Sequence, residues 1–65
     1  MTIEIFEKTI KPFINEVNMD ACGNYVTYAY SCNNQFVSYT FYKDNLVEVF
    51  IHNYTTNERY IKTIK

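Results

Sequence analysis

Residues 25–42 read YVTYAYSCNNQFVSYTFY, and this stretch carries the strongest signal of the fold class. β-Branched and aromatic side chains alternate with smaller ones over residues 25–31 and again over residues 35–42, as in half-buried β-strands. Asn33 and Asn34 stand between the two runs, and asparagine tolerates the left-handed backbone conformation that tight hairpin turns require. The stretch therefore predicts an antiparallel hairpin.

The same alternation of β-branched and aromatic residues with smaller ones continues downstream of this hairpin. Residues 46–53 and 59–64 predict two more strands, joined by connections at residues 43–45 and 54–58. Short connections favour antiparallel neighbours. The four strands together therefore predict an antiparallel meander.

The hairpin registers agree with one another. A two-residue turn at Asn33-Asn34 places Tyr28 opposite Tyr39, and a three-residue turn at residues 43–45 places Tyr39 opposite Val49. Both registers put the same central-strand residues on one face, against which a helix can pack. That face is predicted to hold Val26, Tyr28, Tyr30, Val37, Tyr39, Phe41, Val47, Val49 and Ile51.

An amphipathic helix is predicted over about residues 3–22, with Thr2 as its N-cap and Gly23 just beyond its C-terminus. Pro12 is predicted to kink this helix on its solvent side. The alternative is a short strand over residues 2–6, followed by a helix that begins near Pro12. At about 100° per residue, the apolar side of the single helix holds Ile3, Phe6, Ile10, Phe13, Ile14, Val17 and Ala21. The predicted fold is α+β, with one helix packed on the four-stranded sheet.

Length and charge bound the function. The 65 residues carry a formal net charge of −1 and predict a single domain with a thin core. The chain has no basic cluster, which weighs against nucleic acid as a partner. It also has no long apolar run and no secretory signal, so the expected location is the cytoplasm, away from membranes.

The sequence offers little support for a metal site, a catalytic site or a phosphate-binding loop. Cys22 and Cys32 are expected as free thiols in the cytoplasm, and two cysteines with His52 as the single histidine do not make a zinc site. A Cys32–His52 catalytic pair would lack an oxyanion hole and a cavity. Gly23 is the single glycine, so no glycine-rich loop can cradle a phosphate. We therefore expect no catalytic residue, metal or cofactor.

The other face of the predicted sheet carries an aromatic group with basic residues at its edge. Such a composition is typical of protein interfaces, although cross-strand aromatic pairs also simply stabilise small sheets, and aromatic platforms also stack nucleic-acid bases. With a last loop at residues 54–58, one cross-strand row holds Phe36, His52 and Tyr60, and the next holds Phe50 and Lys62. The predicted partner-binding residues are Phe36, Phe50, His52, Tyr60 and Lys62.

A second interface is predicted on the helix. Ile5, Pro12 and Met19 recur every seven residues, away from the apolar side. Such a seam could dock a second copy and form a homodimer. Scattered apolar residues on a surface are also common, so this prediction stays open beside the simpler interpretation.

The residue composition suggests a genome rich in A and T. Residue types with AT-rich codons (Phe, Tyr, Met, Ile, Asn and Lys) make up 34 of the 65 positions. We therefore expect a small non-enzymatic protein from a phage or mobile element that inhibits a host protein by stoichiometric binding, as anti-CRISPR and other anti-defence proteins do. The alternative is a small nucleic-acid-binding or transcription-modulating protein that uses the sheet aromatics.

Overall fold

A computed structural model describes residues 1–64 of the chain. It confirms the α+β class, with one short helix and an antiparallel sheet whose strand order follows the sequence. The sheet has five strands rather than the predicted four. The elements are α1 (Ile3–Thr9), a 3-10 turn (Lys11–Phe13), β1 (Asn18–Cys22), β2 (Tyr25–Cys32), β3 (Gln35–Tyr42), β4 (Asn45–Asn53) and β5 (Glu58–Thr63).

The predicted helix over residues 3–22 is wrong in its length, because α1 ends at Thr9. Pro12 cannot donate an amide hydrogen bond to the backbone oxygen of Lys8, and in a continuous α-helix its ring would clash with that oxygen. The chain instead forms the 3-10 turn, with Pro12 inside it. The alternative of a strand followed by a helix near Pro12 is also wrong. The predicted N-cap is confirmed, because Oγ1 of Thr2 accepts a hydrogen bond from the N–H of Ile5.

The segment predicted as the C-terminal part of the helix is strand β1. Met19 lies opposite Tyr28, and Ala21 lies opposite Val26, in an antiparallel ladder with β2. Gly23 follows β1 with a φ of +61°, so it sits in the hairpin turn rather than beyond a helix. A glycine at the first central position fits the type II′ turn that joins twisted antiparallel strands.

The predicted register of β2 and β3 is confirmed, with Tyr28 opposite Tyr39. Asn33 and Asn34 both adopt positive φ, as a type I′ turn requires. The register of β3 and β4 is confirmed where Tyr39 lies opposite Val49, but not near the turn.

The β3–β4 connection has two residues rather than three. Lys43 and Asp44 both adopt positive φ, and this two-residue turn places Phe41 opposite Leu46 instead of Val47. Between Phe41 and Thr40 the ladder then shifts by one residue, so that Thr40 lies opposite Glu48. The shift is a β-bulge, which absorbs one extra residue in β4. As a result Leu46 packs against the core, although strict alternation with Val47 on the core face would place Leu46 on the other face.

Phe6 of α1 lies at the centre of the core. Phe6 has no exposed surface, and its ring centroid lies 4.8 Å from that of Tyr28, 5.0 Å from Tyr39 and 5.6 Å from Phe41. Two of these contacts are edge-to-face, the geometry that aromatic quadrupoles favour. The core side of the sheet therefore closes around one inserted ring.

The N-terminus is fixed to the β3–β4 turn. The N–H of Leu46 donates to the backbone oxygen of Met1 at 2.9 Å, and the N–H of Ile3 donates to Oδ1 of Asp44 at 3.2 Å. These bonds hold α1 over the core face, and within residues 1–64 no helix lies on the opposite face of the sheet.

Stability is expected to fall at high pH. Burial, with a smaller contribution from the neighbouring Tyr39, raises the pKa of Tyr30 to about 12 from the ordinary value of 10.0. Between about pH 10 and 12 the unfolded chain loses a proton that folded Tyr30 keeps, so alkali favours unfolding. Urea midpoints across this range should fall more steeply for the wild type than for Tyr30→Phe. Parallel curves for the two proteins would contradict the prediction.

Candidate protein-binding face

The face of the sheet opposite α1 is called the open face, because no helix within residues 1–64 packs across it. Residues of alternate register positions project from it. They form four cross-strand rows. The first row holds Cys22, Tyr25, Tyr42 and Asn45, and the second holds Asp20, Thr27, Thr40, Glu48 and Thr63. The third row holds Asn18, Ala29, Ser38, Phe50 and Ile61, and the fourth holds Ser31, Phe36, His52 and Arg59.

Two phenylalanines occupy neighbouring rows of the open face. The ring centroids of Phe36 and Phe50 lie 6.2 Å apart in an edge-to-face arrangement. His52 lies opposite Phe36, and Ile61 lies opposite Phe50. We call Phe36, Phe50, His52 and Ile61 the aromatic cluster. Its first three members are half-buried, whereas Ile61 exposes 59% of its surface.

Contacts from the β4–β5 loop orient the imidazole of the aromatic cluster. Nε2 of His52 lies 3.0 Å from Oδ1 of Asn57, and since an amide oxygen only accepts, the ring nitrogen donates. The Tyr54 ring stands at 5.1 Å, roughly edge-on. Oδ1 of Asn53 accepts hydrogen bonds from the N–H groups of Thr55 and Thr56, which stabilises the loop itself. His52 is therefore held in place, with less rotamer entropy to lose on binding a partner.

Two predicted site residues do not join this cluster. The β4–β5 loop spans four residues, ending at Asn57 with a φ of +59°, rather than the predicted five. This one-residue difference turns every β5 side chain to the other face. Tyr60 lies opposite Ile51 and Lys62 opposite Val49, on the side of the sheet that carries α1. The structure thus brings together Phe36, Phe50 and His52 but places Tyr60 and Lys62 elsewhere.

Two residues that the sequence analysis did not predict as site residues occupy the positions expected for Tyr60 and Lys62. Arg59 stands in the row of Phe36 and His52, where Tyr60 was expected, and Ile61 stands beside Phe50, where Lys62 was expected. A four-residue loop with asparagine at its positive-φ position would have produced the correct rows. The sequence offered this signal at Asn57, but the five-residue loop fitted the pattern of β5 equally well.

The predicted second interface is not a continuous seam. Ile5 lies on α1, Pro12 in the 3-10 turn and Met19 on strand β1, because the helix that would align them ends at Thr9. Each of the three residues is exposed. They belong to separate elements, so the heptad spacing carries no structural meaning.

A groove of about 450 Å³ borders the aromatic cluster. Its lining includes Phe13, Tyr30, Cys32 and Phe36. Phe13 was predicted on the buried side of the helix, but it exposes 88% of its surface because the 3-10 turn directs it away from the core. No pattern in the sequence distinguishes it from Phe6.

The cysteine thiols and the imidazole of His52 are separated in the structure. Cys32 lies opposite Gln35 on the α1 side of the sheet and His52 lies on the open face, so they cannot act as a thiol–imidazole pair. Cys22 and Cys32 are both free thiols. Among the described side chains, no group of three His, Cys, Asp or Glu is placed to hold a metal ion.

Electrostatically, the aromatic cluster has one cation in its rows, Arg59, while the acidic Asp20 and Glu48 share a separate row of the open face.

None of the described helices is long and apolar enough to cross a membrane. The chain matches no protein-family model, and neither the curated proteins nor the solved structures provide a match.

Proposed function

We propose that this chain is a non-enzymatic protein-binding module and that the aromatic cluster contacts the partner. One observation carries the proposal: Phe36 and Phe50 form a ring pair on a face that no helix of residues 1–64 covers, with Ile61 exposed beside them. Phenylalanine has no polar group to satisfy in water. Burying these rings against a partner would therefore add apolar burial that the isolated chain lacks.

The cluster suggests the chemistry of the partner surface. Aromatic anchors at the centre of a patch usually supply most of the binding energy, while polar groups at the rim fix orientation. Arg59 is at the β5 end of the row that holds Phe36 and His52. We expect an apolar pocket for the rings, with a carboxylate at its border for Arg59.

We further propose that the partner is a host protein in the cytoplasm and that the chain inhibits it stoichiometrically, as a phage or mobile-element product. This extension depends on the small size of the chain and on its residue composition, which favours amino acids with AT-rich codons. An anti-CRISPR or other anti-defence role falls within this class.

A second candidate is binding of single-stranded nucleic acid. The observation that favours it is Arg59 in one row with Phe36 and His52, since bases stack on aromatic rings and guanidinium groups. However, among residues 1–64 Arg59 is the single Lys or Arg side chain in the open-face rows, and Lys62 points to the other side. Phosphate binding needs several such cations, so protein binding is favoured.

The test is partner capture from lysate of the native host, followed by affinity measurements with purified partner. Phe36→Ala and Phe50→Ala should each raise Kd about 5- to 150-fold, equivalent to about 1–3 kcal/mol. Ile5→Ala is the control, because it also truncates an exposed apolar side chain but lies on α1, away from the open face.

Two results would contradict the proposal. Normal affinity of both phenylalanine variants would show that the open face is not the binding site, and a loss confined to Ile5→Ala would move the site to α1. A steep fall in affinity with rising salt would favour the nucleic-acid candidate, because phosphate binding releases counterions and aromatic protein contacts do not.

A further inference from the structure

Strand β5 is an edge strand of the sheet, and no strand within residues 1–64 pairs with its outer side. All six of its residues are exposed, and Tyr60 and Ile61 expose 56% and 59% of their surfaces. An edge strand of this length presents a row of free backbone donors and acceptors that can pair with another strand.

The register shows which backbone groups are free. The N–H of Ile64 donates to the backbone oxygen of Val47 at 2.8 Å, which extends the β4–β5 ladder by one pair. Hydrogen-bonded pairs alternate along an antiparallel ladder. The residues whose backbone groups face β4 are therefore Glu58, Tyr60 and Lys62, and those whose groups face the open edge are Arg59, Ile61 and Thr63.

We propose that two copies of this chain pair antiparallel through β5, about a two-fold axis at Tyr60, to form one continuous ten-stranded sheet. In this register Arg59 of each copy lies opposite Ile61 of the other, and both have outward-facing backbone groups. Each such pair exchanges two hydrogen bonds, which makes four across the axis. The two Tyr60 side chains meet at the centre.

Charge complementarity selects this register. Glu58 of each copy lies opposite Lys62 of the other, so two oppositely charged pairs form at the closely spaced, non-hydrogen-bonded positions, about 4.5 Å between Cα atoms. Moving the axis to Arg59 or Lys62 would place like charges opposite each other. Moving it to Ile61 would leave Glu58 opposite Ile64, without an ionic partner.

The other edge strand is less suited to self-pairing. Strand β1 has five residues, and an equivalent pairing about its central residue would bring two Asp20 carboxylates together. Self-pairing is therefore assigned to β5 alone. Two copies joined there close on a two-fold axis and do not polymerise.

This inference goes beyond the proposed function, because it does not require the aromatic cluster to bind anything. The axis lies perpendicular to the sheet, so both α1 helices lie on one side and both open faces on the other. The dimer would place Ile61 of one copy next to Arg59 of the other and would extend the open face without covering Phe36 or Phe50.

Sedimentation equilibrium of the full chain tests the proposal by charge exchange. The wild type should show a concentration-dependent monomer–dimer equilibrium. Glu58→Lys and Lys62→Glu should each weaken it by at least about tenfold, because each puts like charges opposite each other twice. An equimolar mixture of the two variants should restore dimers, since every pair across the axis is then complementary.

The matched control is a mixture of Glu16→Lys and Lys43→Glu, which carry the same charge changes at exposed positions outside β5. This mixture should dimerise no better than either of its single variants. A wild type that stays monomeric at high concentration would overturn the proposal. So would single β5 variants that dimerise normally, or a control mixture that gains as much as the β5 mixture.

Discussion

Phe6→Ala is expected to remove most of the stability of this protein. The ring is fully buried and contacts Tyr28, Tyr39 and Phe41, so truncation leaves a cavity among three aromatic rings. Such changes cost about 3–5 kcal/mol. A chain of this length has a free energy of unfolding of only about 3–10 kcal/mol. The seven-residue α1 would also lose its anchor, and a helix of that length is not stable alone.

Urea denaturation followed by circular dichroism measures the effect. The matched control is Phe13→Ala, the same substitution at a phenylalanine that is 88% exposed. Its free energy of unfolding should stay within about 0.5 kcal/mol of the wild type. Similar losses for the two variants would show that Phe6 is not the centre of the core.

Phe41→Ala is expected to be nearly as damaging, by about 3–5 kcal/mol, because Phe41 is the other fully buried phenylalanine. Phe50→Ala is its matched control within the sheet. Phe50 projects from the open face and contacts Phe36, so its truncation should cost about 1 kcal/mol or less.

The comparison of these two variants tests the assignment of faces. Thermal melting should give a far lower midpoint for Phe41→Ala than for Phe50→Ala, which should melt within a few degrees of the wild type. The reverse order would mean that the core lies on the open face, and it would also remove the aromatic cluster as a binding surface.

The candidate site was predictable in part. Phe36, Phe50 and His52 lie on strands whose alternation and turns were clear in the sequence, and the structure places them on one face. Tyr60 and Lys62 were assigned to that face through the length of a loop. A loop of four or five residues is compatible with the same local sequence, and side-chain direction reverses with each added residue.

Local sequence features are sufficient to specify the hairpin of β2 and β3 and the division of its residues between two faces. Alternation with a period of two is a local property of the chain, and the Asn33-Asn34 turn sets the register without help from distant residues. The same local logic correctly placed Phe6 on the buried side of a helix and Phe41 on the core face of the sheet.

The conformation of residues 10–22 and the register of β5 depend on contacts that the local sequence pattern does not specify. The apolar spacing from Ile10 to Ala21 fits a helix, but Pro12 interrupts helical hydrogen bonding, and the backbone of residues 18–22 pairs with the edge of β2 instead. Strand pairing depends on a partner that is distant in sequence or joined by a turn of variable geometry. The pairing that a segment adopts therefore cannot be derived from the spacing of its own apolar residues alone.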